Sequence, residues 1–167
     1  RGDYTQTVSF LGEFSDAFNS MTQQLSERET ELKVEAYRDK LTKIGNRHFF
    51  SQYAELLLKS DEDLIFCYCD LDHLKYVNDT YGHAEGDRAI QWVVDVIRRS
   101  FRDNDFIGRF GGDEFILWID GISRDRASYI RERIKELNEK LQEDKGLSAP
   151  VSICAGVTFC IRGEQYE

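Results

Sequence analysis

The chain has 167 residues, 41% hydrophobic and 32% charged with a single proline, the profile of one soluble globular domain plus an appendage rather than a disordered segment. Its net charge of −9 argues against a general nucleic-acid binder, because an acidic surface repels a phosphate backbone. A polyphosphate ligand stays open, since a bound cation inverts the local electrostatics.

No apolar run reaches the roughly 18 residues that would span a membrane, and no signal peptide is visible. Cys67, Cys69, Cys154 and Cys160 lie in or beside apolar runs without a zinc-like CxxC spacing. They read as four buried thiols in a reducing cytosol, with a disulfide as the alternative.

Residues 13–40 read as one amphipathic helix. Phe14, Met21, Arg28 and Glu35 fall at one heptad position and Phe18, Leu25 and Leu32 at the other. A surface helix packed on its own domain is one reading. A parallel dimeric coiled coil is favoured, because the intervening polar residues are too numerous for burial on two sides.

Asn46 is placed to cap a helix carrying Phe49, Phe50, Tyr53 and Leu57 on one face. The continuous apolar run Leu64 to Cys69 predicts a central strand buried on both faces and ending at Asp70-Leu71-Asp72. Gly86 precedes a helix with Ile90, Val93, Val94, Ile97 and Phe101 at helical spacing. Strands are expected over 105–110 and 115–119, joined across Gly111-Gly112, whose glycines would supply the positive φ of a tight hairpin. Ser123 caps a helix with Ala127, Ile130, Ile134, Leu137 and Leu141 on one face, and 151–160 forms the last strand. The fold class is α/β (α+β), a central mixed or antiparallel sheet flanked by helices.

Acidic residues stand at the ends of these strands: Asp70 and Asp72 after the first, Asp113 and Glu114 at the hairpin. If the hairpin pairs beside the first strand, Asp70 and Asp113 converge. Two close carboxylates repel unless a cation lies between them, and hard oxygen ligands suit Mg²⁺, which usually accompanies phosphate. Two metals about 4 Å apart would serve an in-line attack on phosphorus. Asp72 and Asp79, taken alone, read more readily as solvated turn residues.

The segment Arg109-Phe110-Gly111-Gly112-Asp113-Glu114-Phe115 resembles the signature of the GGDEF family of diguanylate cyclases. Three further segments are similar to family motifs in family order: Asp39 to Arg47 resembles DxLTGLxNR, Asp70 to Lys75 resembles DxDxFK, and Asn78 to Asp87 resembles NDxxGHxxGD. The likeness extends to about residue 160.

The resemblance implies condensation of two GTP molecules into cyclic di-GMP, with Mg²⁺ or Mn²⁺ as cofactor. It implies that Asp70, Asp113 and the Leu71 carbonyl ligate metal. Glu114 would help deprotonate the ribose 3′-hydroxyl or hold a second metal. Asn78 and Asp87 would read guanine, whose N1–H and 2-amino donors suit a carboxylate and which adenine lacks as a pair. His73, Leu74 and Lys75 would contact phosphates, and Gly111 and Gly112 would let the nucleotide approach the backbone. Arg102 and Asp105 form an RxxD element that in the family marks an inhibitory product site. His83 is assigned no chemistry.

Lys43 stands where the family has Gly, Leu74 where it has Phe and Cys154 where it has Ser. The family also continues for a further helix and strand, so residues 39–167 are expected to be a C-terminally truncated GGDEF domain, with triphosphate grip in question. Residues 1–38 resemble the second helix of a HAMP relay module leading into a signalling coiled coil. This implies a homodimer and a parent protein in the bacterial cell membrane, the fragment being soluble on the cytoplasmic side.

Two rival readings remain: a catalytically silent module that binds GTP or cyclic di-GMP and acts by interaction, and another nucleotidyl cyclase or palm-type polymerase. Asp87 argues against adenine, and the acidic surface argues against a polymer of nucleic acid.

Overall fold

The computed structural model describes residues 12–57, 64–120, 127–143 and 146–160. The chain divides into two compact units, Arg1–Tyr37 and Arg38–Glu167. In the first, helix α1 runs Glu13–Ala36, with Tyr37 at its C-cap. It therefore ends four residues earlier than the heptad reading predicts. Phe14, Met21 and Leu32 of the seam are 65%, 59% and 66% exposed, so the helix presents an apolar stripe to solvent.

The second unit opens on a turn. Asp39 accepts hydrogen bonds from the Thr42 amide (2.9 Å) and hydroxyl (2.6 Å), a side-chain-to-backbone pattern that competes with helix. Strand β1 (Gly45–Asn46) follows, then helix α2 (Arg47–Leu57), capped as expected by Asn46 Oδ1, which accepts from the Phe49 amide at 3.0 Å. Strand β2 (Leu64–Leu71) leads into α3 (Leu74–Tyr81) and α4 (His83–Ser100). Strands β3 (Phe106–Arg109) and β4 (Glu114–Asp120), helix α5 (Ala127–Leu141) and strand β5 (Ile153–Cys160) complete the described fold. Ser123, expected to cap α5, lies outside the described residues.

The sheet order is β1-β3-β4-β2-β5; β1 pairs parallel with β3 and every other pairing is antiparallel, so the sheet is mixed. One face carries Ile65, Cys67, Cys69 and Leu71 of β2 with Phe115, Leu117 and Ile119 of β4, packed with Val93, Ile97, Ile130 and Leu137 into the main core. On the other face α2 sets Phe50 and Tyr53 against Phe106 and Trp118, with Tyr53 and Phe106 rings 5.2 Å apart.

Helix α2 is too short to cover that second face. Eleven helical residues span about 16 Å, whereas the eight residues of β2 span about 26 Å. The β2 residues Tyr68 and Asp70 are consequently exposed, and only the first half of the strand is buried on both faces as predicted.

Three other expectations are corrected. Gly86 lies within α4 rather than before it, because the helix starts after Gly82, whose φ of 89° breaks the chain direction. Gly111 and Gly112 do not have positive φ, since four residues rather than two connect β3 to β4. Cys67 and Cys69 are buried, but Cys154 is exposed, because β5 alternates and Cys154 points to the face α2 leaves open. The side chain of Cys160 lies outside the described residues.

Candidate functional site

The antiparallel register places Asp70 of β2 directly opposite Glu114 of β4, so the two side chains share the uncovered sheet face. One step further, the Leu71 amide donates to the Asp113 carbonyl at 2.9 Å. Leu71 itself is 1% exposed, and its buried side chain holds this backbone in place. Two segments more than forty residues apart thus bring Asp70, Asp113 and Glu114 to one strand end, as the pairing argument required.

The electrostatics of this end are repulsive. Partial burial, then the negative charges of Asp113, Asp72 and Glu114, hold the Asp70 carboxyl above its ordinary range. Asp72 is drawn away: it accepts from the Ser152 hydroxyl at 2.6 Å and its amide donates to the Ser152 carbonyl at 2.9 Å. Among the described residues no three His, Cys, Asp or Glu side chains form a closed cage. Mg²⁺ seldom needs one, being held by one or two carboxylates with water and substrate phosphate, so crowded Asp70 and Asp113 with backbone carbonyl oxygen nearby are a donor set that fits it.

The hairpin loop is braced by Arg109, whose Nε and Nη2 donate to the Gly112 carbonyl at 3.2 and 2.7 Å. Gly111 leaves room for Glu114 as it is placed: a Cβ there would strike its carboxylate and push that side chain aside. Nothing stands within 4 Å of a Cβ at Gly112, which leaves the loop tip open.

After β2 the backbone turns through His73, exposed and left-handed at φ 61°, into α3. Leu74 is buried and Lys75 exposed at the N-terminal turn of α3, where helix amides lack intrahelical acceptors. Asn78 of α3 packs against Gly86 of α4, where any Cβ would collide with its amide oxygen. Asp87, the next residue, is exposed. Glu85, on the same turn, accepts from the Ser148 amide at 2.6 Å and from Arg88 at 2.7 Å, which ties α4 to the segment before β5.

Arg102 and Asp105 form a closed turn, with the Arg102 amide donating to Asp105 Oδ2 at 2.8 Å and the Asp105 amide to the Arg102 carbonyl at 3.0 Å. Burial raises the Asp105 carboxyl, against the lowering effect of the Arg102 amide and charge. Two cavities meet at this turn. One, about 540 Å³, is lined among others by Arg38, Arg98 and Tyr53. The other, about 140 Å³, adds Tyr129 and Arg133 of α5. Sequence reasoning missed Arg133, whose guanidinium donates to the Tyr129 hydroxyl at 2.9 Å and lies 5.3 Å from its ring centroid. The only sequence signal was a basic residue on the polar flank of α5, which nothing linked to residue 102.

The family described as "Diguanylate cyclase, GGDEF domain" matches residues 36–167. The chain is 42% identical over 113 residues, 65% of its length, to a protein of Escherichia coli K12 named "Probable diguanylate cyclase DgcT". It is 33% identical over 155 residues, 89% of its length, to the cyclic di-GMP phosphodiesterase NbdA of Pseudomonas aeruginosa. It spans 25% of the first and 20% of the second of these relatives. Among solved structures it is similar to the coiled coil and GGDEF domain of DgcB from Caulobacter crescentus in complex with c-di-GMP, with TM-score 0.78, 23% identity, and 90% of this chain and 83% of that one covered.

Proposed function

The chain belongs to the GGDEF-domain diguanylate cyclase family, and from that premise we propose that it condenses two GTP molecules into cyclic di-GMP. The observation that carries the reading is the pairing of Asp70 with Glu114 beside the Leu71–Asp113 backbone bond, which unites the carboxylates of two separate motifs. In the reaction the 3′-hydroxyl of one GTP attacks the α-phosphorus of the other. A P–O bond forms, the bond to pyrophosphate breaks, and the hydroxyl proton leaves. A second, reciprocal attack closes the ring and releases a second pyrophosphate.

Asp70, Asp113 and the Leu71 carbonyl would hold Mg²⁺ or Mn²⁺. The metal, when bound, supplies the positive charge that neutralises phosphate oxygens. Glu114 takes the proton of the 3′-hydroxyl or holds a second metal. Asn78 and Asp87 read the guanine edge, and Gly86 leaves the space that fixes Asn78. The amides at the start of α3, with Lys75, meet phosphate after the left-handed turn at His73. Gly111 and Gly112 keep the loop bare for the nucleotide.

Each domain binds one GTP, so two copies must face each other. The exposed stripe of α1 supports a homodimeric coiled coil. A HAMP-like origin for residues 1–38 and a membrane-bound parent sensor fit the same picture, with the coil setting the geometry of two domains. Arg102 and Asp105, now joined by Arg133, would grip a guanine or phosphate of the product as a feedback site.

The test is incubation of this chain at high concentration with GTP and Mg²⁺, followed by chromatographic separation of the nucleotides. Cyclic di-GMP formed by the chain and lost in Glu114→Gln is the expected result. GTP bound but unconverted would favour a binding module, a reading that the likeness to NbdA, a phosphodiesterase by name, keeps in play.

A further inference from the structure

Tyr68 stands on β2 two residues before Asp70, so both side chains emerge on the face that α2 does not reach. Across the ladder Tyr68 faces Ile116 and Asp70 faces Glu114, which makes Tyr68 the diagonal neighbour of Glu114. The Tyr68 hydroxyl donates to Glu114 Oε1. Among the described residues no other side chain hydrogen-bonds to that carboxylate. Its second oxygen, Oε2, lies over the bare Cα of Gly111, in space a Cβ would occupy.

We propose that Tyr68 is a positioning residue for Glu114, its hydroxyl seating one carboxylate oxygen while Gly111 leaves room for the other. The physical need is plain. Glu114 shares a strand end with Asp70 and Asp113, and like charges drive a flexible glutamate outward into solvent unless a donor holds it. A phenol suits this task. It is neutral, so it does not compete as a counter-ion for the metal ligands, and a ring on a β-strand has few rotamers to lose. A phenol carries its proton at neutral pH, so the Tyr68 hydroxyl is available there as a donor. An ionised carboxylate has further lone pairs, so one bond to Tyr68 leaves Glu114 able to accept the substrate hydroxyl.

The kinetic consequence rests on the cyclase reading, and the test has one arm that does not. Tyr68→Phe keeps the ring and its half-exposed packing and removes only the donor. In this chain the substitution is expected to lower kcat about tenfold with KM for GTP unchanged, since substrate contacts are untouched. In parallel, the chain is labelled at the tyrosine ζ-carbon, and the Tyr68 resonance is identified by its loss in Tyr68→Phe. Without nucleotide or metal, that resonance is expected to move in Glu114→Gln. Unaltered kcat in Tyr68→Phe, or an unmoved resonance, overturns the proposal. If the unaltered chain forms no cyclic di-GMP, the cyclase reading fails, and the resonance alone decides: a shift supports the seating of Glu114 by Tyr68, and its absence refutes it.

Discussion

Arg109 Nη1 donates to both carboxylate oxygens of Asp39, at 3.2 and 3.4 Å, across a sequence separation of 70 residues. The same guanidinium reaches the Gly112 carbonyl. One planar fork therefore joins the opening turn of the domain to the loop that carries Asp113, a geometry lysine could not reproduce.

Arg109→Leu removes that join and leaves Asp39 partly buried without its cation. The expected cost is about 2 kcal/mol, read as a lower urea midpoint. Its pH dependence has a defined sign. Burial acts to raise the Asp39 carboxyl, but hydrogen bonds from Thr42 and the charge and hydrogen bond of Arg109 outweigh it, so the folded value lies below the ordinary 3.8. Such a group adds stability above its unfolded pKa and loses it as pH falls through the folded one. Between about pH 6 and pH 3 the parent chain should lose more stability than Arg109→Leu. Equal losses would mean that Asp39 is not held by Arg109.

Gly86→Ala puts a methyl where the Asn78 amide oxygen lies. The obstacle is the end of a side chain, so Asn78 rotates away rather than the helices separating. Alanine also favours helix over glycine by up to about 1 kcal/mol, so thermal stability should be nearly unchanged. GTP recognition should suffer, with KM raised about tenfold. A steady-state titration with GTP, alongside a melting curve, separates the two effects.

Arg133→Ala and Arg102→Ala should each weaken cyclic di-GMP binding about tenfold or more, and the product-free initial rate should stay at the parental level. Calorimetric titration of the product reads the first quantity. If Arg133→Ala binds product as the parent does, the smaller cavity is no part of the feedback site.

Thiol reactivity should separate the cysteines. Burial pushes Cys67 up to about 12 and Cys69 higher still, so both should resist a thiol reagent in the folded chain. Cys154 is exposed and should react, though slowly at neutral pH, because its hydrogen bond with Asp72 and that residue's charge raise it. Mass spectrometry of the labelled, digested chain checks this, and labelling of Cys67 at the same rate would contradict the packing.

Much of the fold was legible locally. The Asn46 cap, the helical spacing of Ile90 to Ile97 and the apolar run of β2 are interactions between residues a few positions apart, and the structure reproduces them. Less legible were features set by length matching: α2 covers only part of β2, so Tyr68 and Cys154 face solvent although their apolar surroundings in sequence suggested burial. The backbone conformation of the signature glycines was also misread, because the connection between β3 and β4 has four residues rather than two and needs no positive φ at Gly111 or Gly112.

The sequence by itself determined which acidic and glycine motifs this protein carries and the order of its longer helices and strands, since both follow from residue identity and short-range periodicity; the two-residue strand β1 and the short helix α3 carry too little periodic signal and emerged only in the structure. Only the tertiary structure decided which groups meet. Asp70 meets Glu114, Arg109 meets Asp39, Tyr68 meets Glu114, and Arg133 and Arg102 line one cavity, through strand register and helix docking, which depend on how the whole core packs, and no local pattern encodes those placements.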